Sequence, residues 1–279
     1  MAVPNTTLSR IVALALDEDL GRGDITTEAC VDAAASGGAR VAARERLVFC
    51  GADVASAVFA QLDPSVRVER HVAEGAWLER GAPALSLHGP ARSLLGGERV
   101  LLNFVQRLSG IATLTRSYVD ALPAGCKTRI TDTRKTTPGL RALERYAVRC
   151  GGGINHRDDL AAAILIKDNH IAASGGVRQA IERAKRYAPH TSRVLCEVDS
   201  TAQLEEALRA GADIVLLDNF ADDSLAAAVQ LVAGRALIEV SGSVTPERVP
   251  TIARAGVDVI SVGALTHSAR GVDLGMDWL

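Results

Sequence analysis

The sequence predicts an α/β protein in which a parallel β/α barrel follows a separate N-terminal domain of mixed α and β structure. Three observations carry that prediction. From residue 128 onward, short β-like runs at 128–132, 163–167, 193–198, 213–218, 236–242 and 257–263 alternate with helical patterns such as VRQAIERAKRYA and AQLEEALRAGA, and alternation of this kind gives parallel strands. The runs are near-continuously apolar, as strands covered on both faces must be. The later units recur every 21 to 23 residues, with Asp218, Ser241 and Gly263 ending successive strands, an economy that fits a closed barrel better than an open doubly wound sheet.

The first hundred residues have a different pattern. VAARERLVFCG (41–51), SVRVERHV (65–72) and PALSLHG (83–89) alternate apolar and polar residues between turn signals, which marks half-buried strands. MAVPNTTLSRIVALALDEDLG lacks a basic leader and carries acids right after its short apolar stretch, so it is read as an amphipathic helix and not a signal peptide. A helical pattern from Glu98 to Leu122 leads into the second half. The division expected is residues 1–105, a catalytic barrel over 106–264 and a tail over 265–279.

Composition narrows the class. The chain has 279 residues, 48% hydrophobic and 3% aromatic, enough for a large aliphatic core. No apolar run approaches bilayer length. Five cysteines with no CxxC spacing argue against a disulfide framework and a zinc site, and a reducing cytoplasm is the setting expected. A net charge of −2 excludes a generally basic nucleic-acid binder. Between Lys127 and Lys167, however, nine Lys or Arg face four acids, and only four of the 31 basic residues in the whole chain are lysines. Small anions are the guests this segment predicts.

The polar residues then fall in an informative order. Asp132, Arg134, Lys167, Glu197, Asp218, Ser241 and Gly263 stand at or just past strand ends, and the carboxyl ends of barrel strands share one rim. DTRKTTPGLR (132–141) places Arg134, a fork for carboxylates, beside Lys135, a point charge for phosphate; a solvated pair of loop cations is the plainer reading. GGGINHRDD (151–159) brings glycines, His156 and Arg157 together near an anion, but taken alone a helix C-cap followed by an ordinary loop is the plainer reading. IKDNH ends an apolar strand with Lys167, where an ammonium calls for an anion. His170 reads as a capping or a satisfied core histidine in preference to a ligand, and its spacing from His156 matches no zinc motif. Glu197 and Asp218 hold Mg2+ or a cationic sugar, or simply neutralise the rim's cations. SGSV (241–244) and VGALTHS (262–268) are small-residue turns of the kind that bind phosphate in late barrel loops.

Taken in order, EDLGRGDITTE (18–28), GERVLLNFVQRLSGIAT (97–113), DTRKTTPGLR, GGGINHR, IKDNH, CEVD, LLDN, EVSGSV and ISVGALTHS resemble the quinolinate phosphoribosyltransferase family over nearly the whole chain. The resemblance implies a type II phosphoribosyltransferase-like fold: an N-terminal α/β sandwich, an irregular parallel β/α barrel and a C-terminal tail returning to the first domain. It implies transfer of the phosphoribosyl group of phosphoribosyl pyrophosphate to quinolinate, with loss of CO2, by a Mg2+-dependent homodimer. The roles it implies are a quinolinate clamp of Arg134, Arg157 and Lys167 with His156 and Thr133 nearby; Arg99 reaching the partner's site; Lys135 on phosphate oxygens; Glu197 and Asp218 serving Mg2+ and ribose; and a 5′-phosphate cradle of Ser241, Gly242, Ser243, Val262, Gly263 and Ala264. The sequence departs from the family at Ser243, where Gly or Asn is frequent. A relative acting on another substrate, such as a ModD-like or nicotinate-specific transferase, and a non-catalytic phosphate-binding barrel are the alternatives.

Overall fold

The computed structural model describes residues 3–279. The chain opens with α1 (Asn5–Leu20) and α2 (Ile25–Cys30), then runs through β1 (Ser36–Ala43), β2 (Leu47–Val48), α3 (Ala52–Leu62), β3 (Arg67–Arg70), β4 (Trp77–Leu78), β5 (Pro83–Pro90) and the long α4 (Ala91–Asp120). Strand and helix then alternate: β6 (Arg129–Thr131), α5 (Arg141–Cys150), β7 (Ile164–Ile166), α6 (Asp168–Ser174), α7 (Val177–Tyr187), β8 (Val194–Val198), α8 (Thr201–Arg209), β9 (Ile214–Asp218), α9 (Asp222–Val232), β10 (Leu237–Ser241), α10 (Val249–Arg254) and β11 (Val259–Ser261). The short α11 (Ala264–His267) and β12 (Leu274–Trp278) close the chain.

Two compact units result. The first comprises the chain up to Arg116 together with Thr136–Gly152 and Ala264–Leu279, and the second Ser117–Lys135 with Gly153–Gly263. In the first unit an antiparallel sheet runs in the order β12-β1-β5-β3. Its apolar face encloses a core that includes Phe49, Phe59, Leu85, Leu87, Leu94, Leu101 and Leu274, each such side chain contributing roughly 1.5–3 kcal/mol by leaving water.

The edges of two elements differ from the sequence expectation, for one reason. Helix α4 begins at Ala91, through Gly96 and Gly97, and β1 begins at Ser36, through Gly37 and Gly38. Paired glycines read as breaks. Here they admit close neighbours: a Cβ on Gly97 would lie 2.6 Å from Phe59 Cε1, and one on Gly37 2.3 Å from the Trp278 ring. Packing overrides the propensity penalty of about 1 kcal/mol per glycine.

The second unit is a six-stranded, wholly parallel sheet in the order β6-β11-β10-β9-β8-β7, with the helices of the repeat between its strands. That is a barrel-like α/β arrangement, and its first two strands in sequence, β6 and β7, form the two edges. Strand β9 is buried at Val215, Leu216 and Leu217, consistent with cover on both faces. Helix α8 starts on Ser200, whose Oγ accepts the amide of Gln203 at 3.4 Å, and α6 stops at Gly175 in the left-handed region, φ 87°. A segment just past α5 adds a partial seventh position: Ile154 N donates to Ile130 O at 2.8 Å and Asp132 N to Ile154 O at 3.3 Å, so residues 153–156 lie alongside β6.

Cysteine spacing alone pointed away from a metal-ligating cluster, yet folding brings Cys50, Glu74 and Cys150 together in the first unit. Linear spacing cannot register such convergence of three separate segments.

One buried ion pair organises the start of α5. Glu144, 0% exposed, accepts from Arg107 Nη2 at 2.7 Å, Thr137 Oγ1 at 2.8 Å and Thr137 N at 3.0 Å. Removing one member of such a pair strands the other charge. Glu144→Ala is expected to destabilise the first unit by about 3 kcal/mol, read as a lowered urea midpoint at unchanged slope, whereas a loss under about 1 kcal/mol would mean that solvent already screens Arg107.

Candidate active site

Parallel strands leave the sheet in one direction, so the residues that follow them collect at one end. The register states which meet: Ser241 lies opposite Asp218, and Ile166 opposite Cys196. Lys167 and Glu197 therefore stand beside one another, and Lys167 Nζ donates to Glu197 Oε2 at 2.7 Å, with the two side chains 47% and 18% exposed. The same lysine begins α6, where its backbone N–H donates to His170 Nδ1 at 3.0 Å. His170 is thus a helix cap, the first of the two structural roles open to it from the sequence.

Next to β6 the segment 153–157 is fixed by a carboxylate. Asp132 is fully buried; its Oδ1 accepts from His156 N at 2.7 Å and its Oδ2 from Asn155 Nδ2 at 2.6 Å. His156 Nδ1 accepts from Arg157 N at 2.8 Å, leaving its ring proton on Nε2, which lies 3.5 Å from Glu239 Oε1. Glu239 comes from the middle of β10 and is 4% exposed. Asp132 was marked by its place at a strand end, but Asn155 and Glu239 are side chains that motif reasoning did not single out. Glu239, an acid in the apolar run LIEVS, was the one with a visible signal.

Two arginines face this region. Arg157 Nη1 donates to Ala163 O at 2.9 Å, but Arg157 Nε and Arg134 Nε are buried without a hydrogen-bond partner. Burial, and after it the positive charge of Arg134, holds the Arg157 pKa below the usual guanidinium range. Two desolvated, mutually repelling guanidiniums with idle donors are an arrangement that an anion would relieve. Lys135, exposed at the same strand end, donates its backbone N–H to Thr133 Oγ1 at 3.1 Å.

On the other side of the rim the backbone takes unusual conformations. Asn219, Gly242 and Ser243 have φ of 56°, 98° and 47°. Asp218 accepts from Asn219 Nδ2 at 2.9 Å, Asn219 N donates to Ser241 O at 3.0 Å, and a Cβ on Gly242 would fall 2.1 Å from Asn219 Oδ1. Ser243 in the left-handed region is the physical counterpart of the sequence departure noted there, since Gly and Asn adopt that conformation most readily. Arg248, another residue not singled out in advance, ties these loops with donors to Gly242 O at 2.9 Å, Phe220 O at 2.8 Å and Asp222 Oδ1 at 2.7 Å. Val262 is buried, donating its N–H to Thr131 O at 3.0 Å, and Gly263 follows it at the end of the unit.

All the residues singled out from the sequence belong to the second unit except Arg99, which is exposed on α4, and Ala264, the first residue of α11. Glu197 and Asp218 supply two carboxylates at neighbouring strand ends, not a cage of three ligands; among the described residues the group of that kind is Cys50, Glu74 and Cys150.

Comparison with known proteins agrees with this geometry. The N-terminal domain of quinolinate phosphoribosyl transferase matches residues 24–109 and the C-terminal domain residues 111–277. The chain belongs to the quinolinate phosphoribosyltransferase family. It is 45% identical over 269 residues to a protein of Mycobacterium leprae named nicotinate-nucleotide pyrophosphorylase [carboxylating], spanning 94% of each chain. A Bacillus subtilis protein carrying that name as probable is 44% identical over 260 residues, 93% of this chain and 89% of that one. Among solved structures, the nicotinate-nucleotide pyrophosphorylase of Francisella tularensis superposes with a TM-score of 0.94 at 40% identity, covering 99% of this chain and 98% of that one. Members of the quinolinate phosphoribosyltransferase family thus share both halves of this fold.

Gly242→Ala is expected to push Asn219 out of place and destabilise the second unit by about 1–3 kcal/mol, while Ser243→Gly leaves stability within about 1 kcal/mol of the wild type. Denaturant unfolding of both variants checks this, and a Gly242→Ala protein as stable as the wild type would show that the close approach to Asn219 is dispensable.

Proposed function

We infer that the chain is a decarboxylating quinolinate phosphoribosyltransferase. It transfers the phosphoribosyl group of phosphoribosyl pyrophosphate to quinolinate, releasing CO2 and pyrophosphate and leaving nicotinate mononucleotide, a step of NAD biosynthesis. The observation that carries this reading is the pair of buried, unpartnered guanidinium donors on Arg134 and Arg157, close to the rim that Lys167 shares. A dicarboxylate supplies the two negative charges such a set lacks.

The residue roles follow from that charge pattern and are our proposal. Arg134, Arg157 and Lys167 bind the quinolinate carboxylates, with His156 and Thr133 beside them, and hold the pyridine nitrogen toward the anomeric carbon. As the C–N bond forms and pyrophosphate departs, positive charge develops on the ribose and negative charge on the leaving group. Glu197 and Asp218 face the first; Lys135 faces the second. Once ribosylated, the ring nitrogen is cationic, and the adjacent carbon can lose CO2 and take up a proton because the electron pair left behind is stabilised next to that charge. Orientation and exclusion of water are what remains for the protein to supply.

Magnesium is proposed to accompany the pyrophosphate oxygens and to withdraw charge from the leaving group. The donors fit it: two carboxylates, one already neutralised by Lys167, are the hard oxygen set that Mg2+ accepts when substrate oxygens and water complete its shell. Ser241, Gly242, Ser243, Val262, Gly263 and Ala264 are proposed to cradle the 5′-phosphate, mainly through backbone amides, in keeping with the left-handed turn there. No helix among the described residues is long and apolar enough to cross a membrane; a reducing cytoplasm is the setting we propose, in keeping with five unbridged cysteines.

The direct test supplies quinolinate, phosphoribosyl pyrophosphate and Mg2+ and measures nicotinate mononucleotide and CO2, with nicotinate as the comparison substrate and chelator as the metal control. Turnover of nicotinate in preference to quinolinate would overturn the substrate assignment. Lys167→Ala should fold and lose about 2–4 kcal/mol of transition-state stabilisation, roughly 30- to 1000-fold in kcat/KM; near-normal turnover would remove Lys167 from the clamp.

Arg99, exposed on α4, is proposed to complete the site of a partner subunit across a two-fold interface. Arg99→Ala and Lys167→Ala homodimers would each be nearly inactive. Co-expressed at equal levels with random pairing, half the dimers are mixed and half of their sites whole, so about a quarter of the wild-type rate per site should return. No recovery, with mixed dimers verified by native mass spectrometry, would place Arg99 in its own chain's site or in the fold alone.

A further inference from the structure

Outside the rim, the most complete assembly of reactive side chains lies in the first unit. Cys50 follows β2, Glu74 precedes the turn at Gly75, and Cys150 ends α5. Their ligand atoms all lie within 4.8 Å of one another. We propose that Cys50, Glu74 and Cys150 form a binding site for one divalent cation of borderline-soft character, of which Zn2+ is the representative, independent of the catalytic rim.

The three segments are held so that the cluster exists before any ion arrives. Buried Ser109 brackets Cys50, its Oγ accepting from Cys50 N at 2.9 Å and donating to Cys50 O at 3.1 Å. The Glu74 carboxylate is fixed by backbone amides: Oε1 accepts from Gly51 N at 3.0 Å and Ala52 N at 2.6 Å, and Oε2 from Gly51 N at 3.0 Å. Such bonds to a ligating carboxylate set its direction in metal sites. Cys150 is drawn in by two glycines. A Cβ on Gly75 would stand 2.5 Å from Cys150 O, and one on Gly151 2.5 Å from Thr115 Cβ. Gly75, at φ 78°, also requires a conformation that other residues resist.

Spacing and charge both suit the ion. With Zn–S near 2.3 Å and Zn–O near 2.1 Å, a tetrahedral site has an S···O edge of about 3.6 Å and an S···S edge of about 3.8 Å. The Cys150 Sγ to Glu74 Oε2 separation is 3.6 Å, and the outer limit of 4.8 Å leaves a contraction of about 1 Å at most. Two thiolates and a carboxylate are the mixed donor set that Zn2+ accepts and Mg2+ does not. Cys50 is wholly buried, so net charge matters there. Ligating thiols give up their protons, and a divalent ion replacing two protons leaves the cluster's charge unchanged. Water fills the fourth position. A cavity of about 350 Å³ has among its lining residues Gly51, which follows Cys50, and Tyr146, one helical turn before Cys150.

The test uses the full chain, freed of metal by chelator and kept reduced with a phosphine. Titration with Co2+ should give one ion per chain with thiolate-to-cobalt charge-transfer and tetrahedral visible bands, which oxygen ligands at the rim cannot produce. Zn2+ should displace it, release two protons per ion in calorimetry and raise the melting temperature. Cys50→Ser and, at the half-buried position, Cys150→Ser should abolish the bands; Glu74→Gln should weaken binding at least about tenfold. The proposal is overturned if equimolar Co2+ gives no thiolate band, if the band survives in a folded Cys150→Ser chain, or if mass spectrometry finds Cys50 and Cys150 joined as a disulfide in the protein as isolated.

Discussion

Parallel pairing is the constraint on which the rest depends. In an antiparallel sheet, successive strands end at opposite edges, and residues spread along the chain from 131 to 263 would divide between two sides. In the order β6-β11-β10-β9-β8-β7 every strand points the same way, so the residue after each one arrives at the same end. Lys167 then needs only the offset between β7 and β8 to meet Glu197. The apolar faces that make such strands stable, buried on both sides, leave little room for polar groups within the sheet, Glu239 in the middle of β10 being an exception, and most of the polar side chains gather where the strands stop.

Electrostatics at that end is arranged in two kinds of set. Asp132 is satisfied from within, by His156 N and Asn155 Nδ2, and acts as a rigid support. Arg134 and Arg157 are not: each retains a buried donor without a partner, and burial, with the charge of Arg134 after it, lowers the Arg157 pKa. Leaving a buried charged donor unmet costs about 1–3 kcal/mol or more, a cost that persists until an anion enters. A ligand with one carboxylate relieves less of it than a ligand with two, and selectivity built on unmet buried donors exceeds what apolar fit provides.

Much of this was legible in the sequence because it rests on local pattern. The six strands of the second unit were visible from apolar run length and 21- to 23-residue recurrence, and their carboxyl ends marked Lys167, Glu197 and Asp218. What pattern hid depends on the third dimension. Gly37 and Gly97 read as breaks although both exist to admit an aromatic ring. Asp132 was placed at a strand end and Arg248 was passed over, since nothing local says that a carboxylate will be fully buried or that an arginine will spend its donors on Gly242 O and Phe220 O. Cys50, Glu74 and Cys150 are separated by 24 and 76 positions, and no spacing rule spans such gaps.

The backbone strain at the rim has a consequence for how its loops are held. Ser243 adopts a left-handed conformation that costs roughly 1–2 kcal/mol for a residue bearing a Cβ, and Asn219 beside it shares the conformation at less cost, so the loops would relax unless something opposes them. Arg248 is placed to do so. Anchored at the start of α10, it bonds to carbonyl oxygens in both turns at once, Gly242 after β10 and Phe220 after β9, and to the Asp222 carboxylate at the head of α9. Carbonyls held toward Arg248 leave the amides of the same turns to face elsewhere, which is the condition a backbone cradle for an anion must meet before the anion arrives. The strained residues and the arginine that restrains them thus belong to one device, in which none of the restraint has to come from a bound phosphate.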